Sequence, residues 1–285
     1  MIVYIGAAAR EYGQEETGLP FHSINGAVHH YHLGGADADR PAIVFANSLG
    51  TDLRIWDEVA AALGGDHRIL TYDKRGHGLS ELGDAPQDIG AYAADLAGLL
   101  EHCGIPGAVI CGLSIGGLIA QALYAQRPEL VRGIVFCDTA HKVGSEEIWN
   151  GRIAASASPG IESFADGVME KWFTPAFHRD RAADLAGYRC MLARQSPAGY
   201  AAACAAIRDA DFTGTAAHIR VPSLVVVGDQ DGSTPPALVE SFARMIPDAR
   251  FEVIADAGHI PCVEQPAALV RLIRGFTADL DRKAA

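Results

Sequence analysis

Short apolar runs recur along this chain, each followed by a polar or glycine-rich turn and then by apolar residues at helical spacing. Pro41 to Ala46, Arg68 to Tyr72, Ala108 to Cys111, Val131 to Cys137, Val221 to Val227 and Arg250 to Ile254 are continuous enough to be buried strands. Between them, Leu53 to Leu63, Tyr92 to Cys103, Leu118 onward to Pro128, Pro236 to Met245 and Glu264 to Leu280 carry the helical period. Strands that alternate with helices predict a parallel sheet covered on both faces. Ahead of this pattern, Asn25-Gly26 separates Phe21–Ile24 from the alternating run Ala27 to Leu33, a hairpin signal that opens the sheet with an antiparallel pair. Met1 to Leu19 has no clear period and is either an added edge strand or a tail.

From about Ala140 to Ala217 the pattern changes. This segment is rich in alanine and large apolar side chains (Trp149, Met169, Trp172, Phe173, Phe177, Met191, Tyr200), and no strand is legible in it. It reads as a helical insertion that covers the sheet, with most of its aromatics serving as its own core. The expected division is therefore a core of residues 1–139 and 218–285 and a cap of residues 140–217.

Chemistry enters at Gly112-Leu113-Ser114-Ile115-Gly116, which lies between an apolar strand and a helical stretch. Gly112 and Gly116 lack the Cβ atoms that would collide in a sharp strand-to-helix turn, so the Ser114 hydroxyl is expected to stand exposed at a strand's carboxyl end. A turn whose serine merely caps a helix is the competing reading. A serine hydroxyl needs a base to take its proton and a carboxylate to orient that base. Gly228-Asp229-Gln230-Asp231 and Ala257-Gly258-His259-Ile260-Pro261 supply them at the ends of later strands. His259 is the expected base and Asp231 the expected acid, with Asp229 as its competitor. The expected oxyanion donors are the N–H of Ile115 and an N–H from the loop after Ala46, taken as Leu49 with Ser48 as the alternative.

Other polar residues are read more plainly. His77, between Gly76 and Gly78, is expected to stabilise a turn, and His30 and His32, which share a strand face, are expected to be polar surface positions in preference to a metal pair. The 285-residue chain carries 23 Lys and Arg against 35 Asp and Glu, a formal charge of −12, which argues against nucleic acid and anionic membranes as partners. The six cysteines have no paired spacing and read as buried free thiols in a reducing, cytoplasmic setting. Met1 to Ala9 lack the basic region expected of a secretory signal, and no apolar run approaches the length expected of a membrane helix.

The order Ser114, Asp231, His259 is that of the α/β-hydrolases. Within that superfamily the chain resembles the 3-oxoadipate enol-lactone hydrolases. The resemblance is carried by Asn47-Ser48-Leu49-Gly50-Thr51-Asp52-Leu53-Arg54-Ile55-Trp56-Asp57, by Tyr72 to Ser80, by the Ser114 turn, by Gly199 to Asp209 and by Gly258 to Pro266. The chain departs from the common pattern in having Asn47-Ser48 where many relatives carry His-Gly. The resemblance implies a mostly parallel eight-stranded sheet flanked by helices with an inserted helical cap. It also implies opening of a small anionic enol-lactone with no metal or organic cofactor. The arm of that substrate is a carboxylate, and Arg152 is the favoured partner among the cap's cations, with Arg208 or Arg54 as alternatives. Trp149, three residues away on a predicted helix, would share its face and could cover the lactone ring. A broad carboxylesterase, a cofactor-free perhydrolase and a hydrolase-like ligand receptor are the other readings of the same scaffold.

Overall fold

The computed structural model describes residues 20–36, 40–84 and 88–284; the reading of Met1 to Leu19 falls outside them. β1 (Phe21–Ile24) and β2 (Ala27–Gly35) form the expected hairpin, with Asn25 and Gly26 at positive φ in its turn. β3 (Ala42–Ala46), β4 (Arg68–Tyr72), β5 (Ala108–Leu113), β6 (Val131–Cys137), β7 (Ser223–Gly228) and β8 (Arg250–Ile254) complete an eight-stranded sheet in the order β1-β2-β4-β3-β5-β6-β7-β8. β2 pairs antiparallel with β1 and β4, and all later neighbours are parallel.

The pattern of hydrophobic runs follows from this order. Every residue of β3, β5 and β7 is buried, because these central strands have neighbours on both edges and helices on both faces. Burying one Val, Leu or Ile side chain contributes roughly 1.5–3 kcal/mol, so these strands hold the core together. The edges β1 and β8 are correspondingly more exposed.

α1 (Asp57–Leu63) follows a 3-10 turn at Leu53–Trp56, and α2 spans Ile89–His102. α2 begins earlier than the apolar period indicates, because the Asp88 carboxylate accepts from the Ala91 N–H and caps the helix there. α3 (Ile115–Gln126) packs against α2 and the central strands. The insert between β6 and β7 consists of α4 (Glu146–Ala155), α5 (Ala165–Trp172), α6 (Pro175–Asp180), α7 (Ala182–Ala193), α8 (Pro197–Asp209) and the single turn α9 (Thr213–Ala216). Among the described residues it contains no strand. α10 (Pro236–Ala243) separates β7 from β8. The final helical stretch is two pieces, α11 (Pro261–Glu264) and α12 (Pro266–Ala284), since Gln265 leaves helical geometry ahead of Pro266. β7 starts later than expected, at Ser223, because Pro222 has no N–H to give to a ladder.

Five of the six cysteines are buried; Cys190 on α7 is exposed, contrary to its reading as a core thiol. No helix of the described residues is long and apolar enough to cross a membrane.

Candidate active site

β3 lies between β4 and β5, so successive connections leave it in opposite directions and open a crevice at the strands' carboxyl ends. The loop after β3 and the turn after β5 face each other across this crevice. At the turn, Ser114 has φ 57° and ψ −116°, a conformation that costs on the order of 1–3 kcal/mol for a residue with a Cβ. Its backbone is held on both sides: the N–H donates to Cys137 O at 3.0 Å, and the carbonyl accepts from Gly117 N–H and the Thr139 hydroxyl. A Cβ on Gly112 would stand 2.3 Å from Gly116 O, and one on Gly116 would stand 2.1 Å from Ala46 O. The two glycines thus let strand, turn and helix close on one another. Ile115 opens α3, in the first turn whose N–H groups lack intrahelical acceptors.

The residues expected to serve Ser114 come from loops after β7 and β8. His259 Nδ1 lies 2.9 Å from Asp231 Oδ2. The other Asp231 oxygen accepts from the Ser233 and Thr234 N–H groups, and the Thr234 hydroxyl is 2.6 Å from Oδ2. Burial pushes the Asp231 carboxyl up, but the His259 charge and these hydrogen bonds outweigh it and hold it below its ordinary range. Asp229 instead accepts from Ala257 N–H and does not reach the imidazole. The Lys171–Thr174 segment of the cap ties both loops down. Lys171 O accepts from Gly232 N–H and Trp172 O from His259 N–H, while Glu264 receives Gly258 N–H and both Thr174 donors.

A cavity of about 130 Å³ joins these groups, and Ser48, Leu49, Ser114, Thr234 and His259 all line it. The cap side contributes Trp149, Arg152, Lys171, Trp172 and Tyr200. The indole of Trp149 donates to Val143 O at 2.7 Å, and Arg152 donates to the Tyr200 hydroxyl at 2.9 Å with its guanidinium over the Phe164 ring. Burial pushes the Tyr200 hydroxyl up to about 12, so it stays neutral and accepts. Arg152 and Lys171 are the charged residues of the lining, and no carboxylate is among them. Arg208 is paired with Asp209, and Arg54 is clamped by Asp52 and lines a different cavity. His77 is buried away from this cavity with Nδ1 near Arg75 O, and His30 bonds Asp73.

Two features were not singled out from the sequence. Lys171 was only one of many cap cations. Asp138, at the carboxyl end of β6, is fully buried with φ 46°; one oxygen accepts from Gly228 N–H and the other is unpartnered. Its carboxyl lies in one cluster with Asp231 and His259, their facing atoms within 4.8 Å of one another. Such a trio could bring three ligand atoms to a metal, but both Asp231 oxygens already receive hydrogen bonds. Burial, and then the neighbouring Asp231, push Asp138 well above the ordinary carboxylate range. Of the two acids, Asp138 is therefore the one that takes a proton more readily.

A strained serine between a buried strand and a helix, set against an Asp-oriented imidazole on this sheet, is the arrangement of the α/β-hydrolases. The chain belongs to that family: the alpha/beta hydrolase family model matches residues 43–272. It is 36% identical to 3-oxoadipate enol-lactonase 2 of Acinetobacter baylyi over 231 residues, 81% of this chain and 86% of that one. The crystal structure of the enol-lactonase from Burkholderia xenovorans LB400 superposes with a TM-score of 0.88 at 36% identity, covering 91% of this chain and all of the other. A thermophilic esterase from Thermogutta terrifontis gives a TM-score of 0.86 at 26% identity, over 91% of this chain and 98% of its own.

Proposed function

We propose that this hydrolase opens 3-oxoadipate enol-lactone to 3-oxoadipate through an acyl-enzyme on Ser114. The observation that carries the reading is the charge of the cavity lining: it includes the half-buried Arg152 and the exposed Lys171 and no carboxylate, in a chain of net charge −12. A neutral ester gains nothing from such a lining, whereas a lactone with a carboxylate arm does. The likeness to the two enol-lactonases supports the same substrate. The cavity is also small beside the roughly 300–1,000 Å³ of drug-sized sites, as a single-ring substrate requires.

In this reading residues 140–217 are the cap and the remainder is the catalytic core. Ser114 Oγ attacks the ring carbonyl while His259 takes its proton, and Asp231 fixes the imidazole and stabilises its cation. The N–H groups of Ile115 and Leu49 receive the developing oxyanion. Collapse expels the ring oxygen as an enolate, a better leaving group than an alkoxide. It takes the proton that His259 had accepted from Ser114, which leaves the imidazole neutral again, and becomes the ketone, still tethered through the acyl group. Water deprotonated by His259 then attacks the ester, and the second collapse returns the proton to Ser114 and frees the dicarboxylate. Arg152 holds the carboxylate arm and Trp149 covers the ring. The likeness to an esterase keeps a broad carboxylesterase as the second reading.

Turnover of purified protein on the enol-lactone and on a neutral aryl ester separates the two. The expected kcat/KM for the enol-lactone exceeds that for the ester by at least about a hundredfold, and a preference for the ester would reverse the assignment. Ser114→Ala is expected to fold normally and to lose at least about three orders of magnitude in kcat, because nucleophile and base act as a unit.

A further inference from the structure

Lys74, just beyond the end of β4, exposes only 1% of its surface. Charged side chains are almost never buried so fully unless paired. Among the described residues its ammonium donates to one group, the Ser48 carbonyl, at 2.5 Å. Thr51 closes on the same oxygen with its N–H at 3.3 Å and its hydroxyl at 2.9 Å. Three donors thus converge on one carbonyl in a loop whose residues Ser48 and Leu49 line the cavity beside Ser114. The Ser48–Leu49 peptide is trans, and in a trans peptide the C=O and the N–H point in opposite directions.

We propose that the buried ammonium of Lys74 is a positioning group for the oxyanion hole: by pinning the Ser48 carbonyl it turns the Leu49 N–H, across the same peptide, toward the oxygen that becomes negative. The inference rests on the serine-hydrolase reading above. It decides between the two candidate donors, since a Ser48 carbonyl held from inside the protein leaves the Leu49 N–H for the cavity. It also explains how the hole is built over Asn47-Ser48, where no glycine supplies backbone freedom. The cation polarises the peptide as well, which strengthens the N–H as a donor.

The groups facing Lys74 give the device a pH dependence. Asp73, beside it on β4's end, and Asp52, in the loop after β3, favour its charge, but burial outweighs both and pushes the ammonium down to about 7. Asp73 is itself engaged by Leu53 N–H, Leu79 N–H and His30, and Asp52 by Arg54. His77, buried in the same turn, is held well below its usual range by burial and then by the Lys74 charge, so it stays neutral. As pH rises through Lys74's range the charged grip on Ser48 is lost.

The test is Lys74→Met, assayed on the enol-lactone and an aryl ester with Ser114→Ala alongside. The expected result is a kcat about ten- to a hundredfold lower with KM within about threefold, a smaller loss than the roughly 10²–10³ for deleting an oxyanion donor outright. Inhibition by an alkylboronic acid, which forms a tetrahedral adduct on an active serine, should weaken by the same factor. An unchanged kcat and boronate affinity, whatever happens to the melting temperature, overturns the positioning role. If Lys74→Met does not fold, the wild-type profile decides. Kcat should fall from pH 7 to 9 at constant KM, and a flat kcat there refutes the proposal. Activity retained in Ser114→Ala would sink the hydrolase reading itself, whereas loss there with an unaltered Lys74→Met sinks only the positioning role.

Discussion

Asp138 and Asp231 share a buried corner with His259, and at the residue scale this corner is where charge is most constrained. Asp231 is held low because three donors and the imidazole face it; Asp138 has one N–H and an unpartnered oxygen, so it is the acid whose carboxyl is pushed up. A folded-state pKa above the unfolded one means that a proton is taken up on folding. The stability this group contributes is complete below the unfolded carboxylate range and is lost as pH rises toward the folded value, by up to about 1.4 kcal/mol per pH unit. Asp138→Asn cannot titrate, and its amide can still accept from Gly228 and donate toward Asp231. The variant is therefore expected to match wild type near pH 4 and to melt progressively higher toward pH 8, with kcat within about threefold. Melting curves across that range check it; a large loss of activity without the stability gain would mean that the ionised form is needed. None of this was legible in the sequence. Asp138 is one of 35 acids at the end of one of several strands, and burial, which makes it unusual, has no sequence signal. Asp231 and His259 were legible because their loops follow apolar strands in the order the serine chemistry needs, and the structure brings them together while leaving Asp229 apart.

Among the elements, the β5–α3 turn was the most legible, because its glycines are dictated by close approach. Gly116→Ala would place a methyl carbon 2.1 Å from the Ala46 carbonyl oxygen, a backbone atom that cannot swing aside. The expected cost is about 1–3 kcal/mol, read as a lower denaturation midpoint, together with reduced kcat as β3's loop and Ser114 are forced apart. Gly151→Ala, on the exposed face of α4 with nothing within 4 Å of the added carbon, is the matched control. It should stabilise by roughly 0.5–1 kcal/mol, since alanine is the better helix former. A neutral Gly116→Ala would remove the steric account of the motif. The insert was less legible for a related reason. α4 has no fully buried residue and no apolar stripe, and a turn at Ser156–Gly160 with Pro159 inside it interrupts the helical run. What fixes this region is contact with the core, such as the hydrogen bonds that Lys171–Thr174 makes to the Asp231 and His259 loops, and such contacts leave no period along the chain.

For the whole molecule, the opposition between a net charge of −12 and a cavity bearing Arg152 and Lys171 makes binding depend on salt in a way that can be worked out. The surface field is screened within about 8 Å at physiological ionic strength, whereas the half-buried Arg152 at the cavity is screened less than the exposed Lys171. Wild-type KM for the enol-lactone should therefore change little, or fall slightly, as salt rises. Replacing the cations removes the attraction and leaves the repulsive field. Arg152→Ala and Lys171→Met are each expected to lower kcat/KM for the anionic lactone about ten- to a hundredfold, the loss of a charged hydrogen bond of about 1.5–3 kcal/mol. Because Arg152 also holds the Tyr200 hydroxyl, a neutral lactone without the arm serves as the control for collapse of the cavity. It should lose less than about threefold. In the double variant, added salt should lower KM for the anion markedly, since only repulsion remains to be screened. Equal losses on both lactones, or a double variant whose KM ignores salt, would show that the two cations shape the cavity and do not recognise charge.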